Sequence, residues 1–323
     1  MGAVPMCILL IILSLGATFT YYIKEAPKTL RQERREKEKD LFKEKQLIPI
    51  PTMDELRLEE AEVKPHLIFT ITDEAGNVIR KLSEGISDGI GRLNWDLRFA
   101  NTRPVSIRDG KYDPTSMGGS FMYVLPGKYF VSISQVVRGE ITHLAGPESF
   151  HVVPLNNATL PAENREELVA FQKNVNELNR IIGGTESFTE DLLDRVRHIK
   201  QAAQRALNTT PELMVMIENV EKQLENILWK FNGQEPRASQ EENWPAPPSI
   251  NDRLGAIVWV HWRSTSGVTQ SQRDAFDILK EEFPPMLAEV KTIYETTLPG
   301  IEQELETINA PWTPGRIPVW TLD

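Results

Sequence analysis

The chain has 323 residues, 36 of them Lys or Arg and 46 Asp or Glu, for a formal net charge of −10. That balance excludes general nucleic-acid binding, which needs a basic surface. The single cysteine, Cys7, excludes an internal disulfide framework and a cysteine-built zinc site while leaving the compartment open, and the length suits about two domains.

Residues 1–16 read as an apolar leader. No charged side chain occurs from Met1 to Ile23. Met6 to Leu13 has the length of a signal-peptide core, and Ser14-Leu15-Gly16 is a small-residue cleavage site, but a basic n-region is missing. A spanning helix needs about 20 apolar residues. That length is reached only by including Thr18, Thr20, Tyr21 and Tyr22. Those positions alternate instead, with Phe19, Tyr21 and Ile23 on one side and Thr18, Thr20 and Lys24 on the other, which predicts a strand over Ala17 to Glu25. The leader is then a signal, an anchor or the product of a start codon inside a longer reading frame.

Lys28 to Lys45 is a dense mixed-charge run of good helix formers with acid–base neighbours at i,i+3 and i,i+4. Its few apolar residues predict a solvated helical insertion, with a binding arm as the alternative reading, between two strands expected to pair. Ile48-Pro49-Ile50-Pro51 breaks that helix, and Asp54 to Glu62 predicts a short acidic one.

From His66 to Val153 the period is two. Leu67, Phe69 and Ile71 alternate with polar neighbours, Asp73 to Asn77 is a turn, and Val78 to Leu82 returns. Leu93, Trp95, Leu97 and Phe99 share one parity and predict a single half-buried strand with Trp95 at its centre. Tyr129, Val131 and Ile133 predict another, and Phe150 to Val153 closes the set. Short strands between turn signals point to a small antiparallel sandwich.

Pro154 to Pro161 marks a boundary, beyond which the period becomes helical. Leu168, Phe171, Val175, Leu178 and Ile182 form one helix face, with Gly183-Gly184 as its stop. Leu192, Val196, Ile199 and Ala203 predict a second helix. Thr210-Pro211 opens a third, Ile250 to Trp262 forms a fourth, and a fifth runs from Thr269 through Pro284-Pro285 towards Ile308.

Chemistry-bearing constellations are sparse. His66, His143, His151, His198 and His261 form no H-x-x-x-H or H-E-x-x-H pair. Glu166-Glu167, Glu190-Asp191 and Glu281-Glu282 are adjacent on helices and point to different faces, so none can straddle a sugar as a glycosidase pair must, and Glu241-Glu242 lies in the Pro-rich loop from Asn232 to Ser249. A two-carboxylate site between domains stays open. Gly118-Gly119-Ser120 and Ser264-Thr265-Ser266-Gly267 lack nucleophile-elbow and phosphate-loop spacing, and Asn157-Ala158-Thr159 and Asn208-Thr209-Thr210 match glycosylation acceptors without further support. Trp244, Trp312 and Trp320 in Pro-rich segments, with Trp259 and Trp262 on the fourth helix, read first as staples that pin tails to the bundle, and second as platforms for sugars or partners.

Four stretches carry a family resemblance that runs from Gly16 to Thr313. They are Gly16-Ala17-Thr18-Phe19-Thr20-Tyr21-Tyr22-Ile23-Lys24-Glu25-Ala26-Pro27, Asp73-Glu74-Ala75-Gly76-Asn77-Val78-Ile79-Arg80, Trp95-Asp96-Leu97-Arg98, and Trp262-Arg263-Ser264-Thr265-Ser266 with Ala310-Pro311-Trp312-Thr313-Pro314-Gly315. Together they resemble the region after the β-propeller in bacterial sortilin-like (BNR-repeat) proteins, often labelled glycosyl hydrolases. The propeller's Asp-box repeats do not occur in this sequence, so no propeller residue carries over.

The expected fold class is α+β: a small antiparallel Ig-like β-sandwich over residues 17–154 with a charged helical insertion at 28–62, then an up-and-down helical bundle over 161–309 and a Pro/Trp tail at 310–323. No catalytic, cofactor-binding or metal-ligating residue stands out, and no cofactor is expected. The resemblance implies a non-catalytic accessory region of a sortilin-like propeller protein in the bacterial envelope, extracytoplasmic or membrane-anchored. A carbohydrate-binding module, and a glycosidase acting only with the propeller, are the alternatives. The expected partners are a β-propeller domain or an envelope protein, with a glycan and a membrane contact through residues 1–23 as further candidates and no nucleic acid.

Overall fold

The computed structural model describes residues 16–105, 112–116, 119–155, 160–234, 245–262 and 264–320. The leader up to Leu15, Gly118, the Asn157-Ala158-Thr159 acceptor, Glu241-Glu242, Trp244, Arg263 and the end of the tail lie outside the described residues.

Period-two alternation becomes strands wherever one parity can be buried. In chain order these are β1 (Ala17–Ile23), β2 (His66–Asp73), β3 (Val78–Gly85), β4 (Gly89–Trp95), β5 (Arg98–Ala100), β6 (Ser120–Tyr123), β7 (Gly127–Val137) and β8 (Glu140–Val152). All pairings are antiparallel. Strands β3-β2-β7-β8 form one sheet, β1 pairs with β4, and β5 pairs with β6. The first two sheets face each other through aromatic side chains. Phe19 of β1 stacks on Phe69 of β2 with centroids 6.3 Å apart, and meets Phe150 of β8 edge-on at 5.3 Å. Trp95, fully buried, stands edge-on to Tyr129 and Phe150, and its indole Nε1 donates to the Arg98 carbonyl at 3.0 Å. This is a sandwich, held by the apolar parity that alternation presents to one side.

Register explains one glycine. Tyr21 of β1 lies opposite Gly91 of β4, and a Cβ at Gly91 would sit 2.3 Å from the Tyr21 ring. The ring therefore lies across bare backbone, which only glycine allows.

The expected continuous strand from Leu93 to Phe99 is two strands. At Leu97 the backbone turns left-handed, with φ of 59°, and the Leu97 carbonyl accepts from Val124 instead of continuing a ladder with β1. Leu97 and Phe99 still pack on the sandwich core. Side-chain parity survives the break because burial acts on side chains, whereas the ladder follows φ and ψ.

Between β1 and β2 lie α1 (Leu30–Lys43) and α2 (Met53–Ala61), and the two strands they join do not pair as expected but belong to different sheets. The remaining helices are α3 (Arg165–Arg205), α4 (Pro211–Asn232), α5 (Ile250–His261), α6 (Gln270–Thr292) and α7 (Leu298–Thr307), with one π-helical turn at Ile293–Thr297. The chain divides into two compact units. One comprises Met1–Asn101 and Ile107–Asn157, and the other Thr102–Ser106 and Ala158–Asp323. Thr102–Ser106, inside the stretch read as sandwich, thus groups with the helices.

In the helical unit Gly183-Gly184 is not a stop. α3 runs 41 residues straight through it. Each interior glycine costs about 1 kcal/mol relative to alanine. The apolar face resumes on the far side at Leu192, Val196, Ile199 and Ala203, all buried, so ending the helix would forfeit far more burial. Pro104 packs against Gly183, its ring 3.3 Å from where a Cβ would lie. α4 starts as expected, with the Thr210 hydroxyl accepting from the Leu213 amide at 3.2 Å and Pro211 in the first turn. α6 stays α-helical through Pro284 and Pro285, and the ladder widens later, at the π turn.

The staple expectation divides among the tryptophans: Trp262 is half-buried just past the end of α5, with its indole nitrogen shielded. Trp259, Trp312 and Trp320 are all exposed. Arg316 pins the tail instead. It is buried, donates to Glu306 at 2.8 Å and to the Pro311 carbonyl at 2.9 Å, and stacks on Trp312 at 5.0 Å. A guanidinium carries five N–H donors and can bind a carboxylate and a tail carbonyl at once, whereas an indole has a single N–H.

Candidate interaction surface

The helical insertion of the β unit is built from polar contacts. Neither α1 nor α2 buries a single residue. Each begins with a capping box. Thr29 accepts from the Gln32 amide at 3.3 Å while Gln32 reaches back to the Thr29 amide at 2.9 Å. Thr52 and Glu55 repeat the device at 3.2 and 2.7 Å. These Thr-x-x-Gln and Thr-x-x-Glu patterns are written in the sequence and could have located both helix starts. α1 ends before the proline segment. Lys45 takes φ of 57°, and its amide and that of Gln46 close on Phe42 and Leu41 carbonyls.

Ion pairs join the helices to each other and to the sandwich. The Arg34 guanidinium donates to Glu59 of α2 at 2.9 Å and to Glu38 at 2.6 Å, and holds the Glu59 carboxyl below its ordinary value. The Glu62 carboxylate, only 5% exposed, accepts from the Leu30 amide at 2.7 Å and faces Arg138 at 3.5 Å. Arg138 also binds Glu33, which raises its pKa. Arg138 stands in the β7–β8 turn with φ of 52°, so this contact ties the insertion to the four-stranded sheet. Nothing in local periodicity announces a partner more than a hundred residues away in sequence.

The outer face is different. Every acid of α1 is paired: Glu33 with Arg138, Glu36 with Lys28, Glu38 with Arg34 and Asp40 with Lys43. Arg31, Arg35 and Lys39 recur at i,i+4 on exposed helix and make no ion pair among the described residues. Phe42 follows at 73% exposure, and the connector presents Leu47 and Ile50 at 92% and 91%. Met53 and Leu58 are exposed beyond them.

The histidines and paired acids are dispersed over both units. His66 contacts the Lys64 carbonyl, His143 the Gly146 carbonyl, and His198 sits beside Asp194; His151 lies exposed on β8. His261 is buried between Phe171, 5.5 Å away, and Gln272, whose side-chain oxygen meets Nε2. Gln172 caps the His261 carbonyl at 2.7 Å, and burial lowers the pKa of the ring. Glu167 pairs with Arg273 and Glu282 with Arg253. Among the described residues no group of three or more His, Cys, Asp or Glu side chains could hold a metal ion. A cavity of about 300 Å³ in the helical unit is lined by Arg103, Pro104, Asn179, Ile182, Glu186 and Asn251 among others. The buried Asn179 amide nitrogen has no partner among the described residues, a demand that one water in so polar a space would meet.

Among the described residues no helix is long and apolar enough to cross a membrane. Comparison with protein-family models, with curated proteins and with solved structures returned no match.

Proposed function

We propose that this chain is a non-catalytic interaction region serving a sortilin-like β-propeller protein of the bacterial envelope, and that the α1–α2 insertion is its docking surface. One observation carries the reading. Two capped, ion-paired helices are held on a sandwich while burying none of their own residues, and they display Leu47 and Ile50 almost wholly to solvent. Such a structure adds little to folding, and a run of large exposed apolar side chains, here Phe42, Leu47, Ile50, Met53 and Leu58, marks a contact made with something else where a lone one does not. The resemblance of the quoted motifs to post-propeller regions supports the same reading.

Site-specific photo-cross-linking in cells tests it. A photo-reactive residue replacing Leu47 should give adducts, and one replacing Leu207, equally exposed at 98% in the helical unit, should not. Equal labelling from both positions, or none from position 47, would overturn the docking assignment. Robust turnover of an aryl glycoside that is lost on mutation would overturn the non-catalytic part.

A further inference from the structure

We infer that the outer face of α1 and the connector after it dock on an anionic lipid surface. Arg31, Arg35 and Lys39 lie over the headgroups, and Phe42, Leu47 and Ile50 enter the boundary between headgroups and acyl chains. This rests on the insertion being a docking surface and names what it docks on.

Charge is the first argument. Residues 28–45 hold eight basic and five acidic side chains on a chain whose net charge is −10. With the four acids of α1 paired, Arg31, Arg35, Lys37, Lys39 and Lys45 make no ion pair among the described residues, against one acid of the flank, Glu44, that makes none either, so the balance on this helix and its flank is cationic. An unpaired basic stripe suits an anionic surface, where each cation near the headgroups contributes about 1 kcal/mol of attraction.

Shape is the second argument. Leu47 and Ile50 protrude at more than nine-tenths exposure, with Pro49 between them and Pro51 after them. A protein partner gains most from such side chains where it offers fitted pockets for them. A fluid lipid interface accepts protruding apolar groups without a matching shape, and basic side chains flanking apolar ones are the composition that binds there. Binding through the apolar leader would not depend on lipid charge, and neutral vesicles read it separately.

The test is co-sedimentation of the full chain with vesicles of phosphatidylcholine alone, and of phosphatidylcholine containing about one-third phosphatidylglycerol. Neutral vesicles report the leader and the apolar residues. Anionic vesicles add the basic stripe. Binding to anionic vesicles should be roughly 100-fold stronger at low salt and should weaken steeply as salt is raised. The triple variant Arg31→Gln/Arg35→Gln/Lys39→Gln should lose about that 100-fold preference while keeping the wild-type melting curve. Leu47→Ser/Ile50→Ser should weaken binding to both vesicle types by about tenfold or more. Equal binding to neutral and anionic vesicles, or a triple variant that binds like wild type, would overturn the lipid assignment. A Leu47 photo-adduct to protein, with no anionic preference, would leave the docking surface standing and give it a protein partner.

Discussion

The two sets of helices in this protein are held by opposite means. α3 and its neighbours close over Ile182, Ile199, Ile217, Leu224, Ile227 and Phe231, none of which is measurably exposed. α1 and α2 bury nothing and stand on caps and ion pairs. Apolar burial is insensitive to salt and grows with area, whereas ion pairs respond to salt, the exposed Lys28–Glu36 and Lys43–Asp40 pairs more than Arg34–Glu59 and Arg138–Glu62, whose carboxylates are shielded. The same secondary structure is therefore core in one region and appendage in the other. An appendage that costs little to move is suited to meeting a partner.

The largest expected effects lie in the two cores. Trp95→Ala should destabilise the sandwich by about 3–5 kcal/mol in chemical denaturation, and Phe231→Ala should do the same for the helical unit. A loss under about 1 kcal/mol at either site would mean that burial does not govern that unit. Next comes acid sensitivity of the helical unit. Burial lowers the His261 pKa from 6.5, so the unfolded chain takes up its proton first as the pH falls. Stability should be unaffected above that value, decline below it, and level off once the folded pKa is passed. Melting followed from about pH 7 to pH 5 should show that slope in wild type and lose it in His261→Gln. Glu55 and Glu59 in the insertion, both lowered, contribute above the ordinary carboxylate range and lose that contribution only at more acid pH, so the two windows separate.

Smaller effects sharpen the contrast from the other side. Arg138→Ala frees Glu33 and Glu62, and amide exchange should quicken through α1 and α2 while β2 and β7 keep their protection. Raising salt should mimic the variant. Unchanged exchange would show that the Arg138 contacts hold nothing. The smallest effect is expected from replacing residues 28–62 with a short Gly/Ser linker. Loop length changes closure entropy slowly, so the sandwich should still melt as wild type does. Collapse of the sandwich would move α1 and α2 from appendage to core.

Local pattern and tertiary context divided the work along a physical line. The α+β class, the apolar parity of Phe19, Leu67, Phe69 and Trp95, and the solvated character of Lys28 to Lys45 follow from periodicity and composition, because burial selects side chains by their spacing. Thr210 and Pro211 likewise announce a helix start. Three features needed the folded chain. Leu97 turns left-handed because its backbone finds Val124, α3 passes through Gly183-Gly184 because apolar surface waits beyond it, and Arg316 rather than tryptophan secures the tail. The candidate surface splits in the same way. Its charged run and its Ile-Pro-Ile-Pro connector stand in the sequence. Glu36, Glu38 and Asp40 find cations within or just before α1, whereas Glu33 is paired only because the fold brings Arg138 to it, and with all four acids paired Arg31, Arg35 and Lys39 stay without an ion pair. Pairing between remote residues depends on where the fold places them, and no local spacing encodes it.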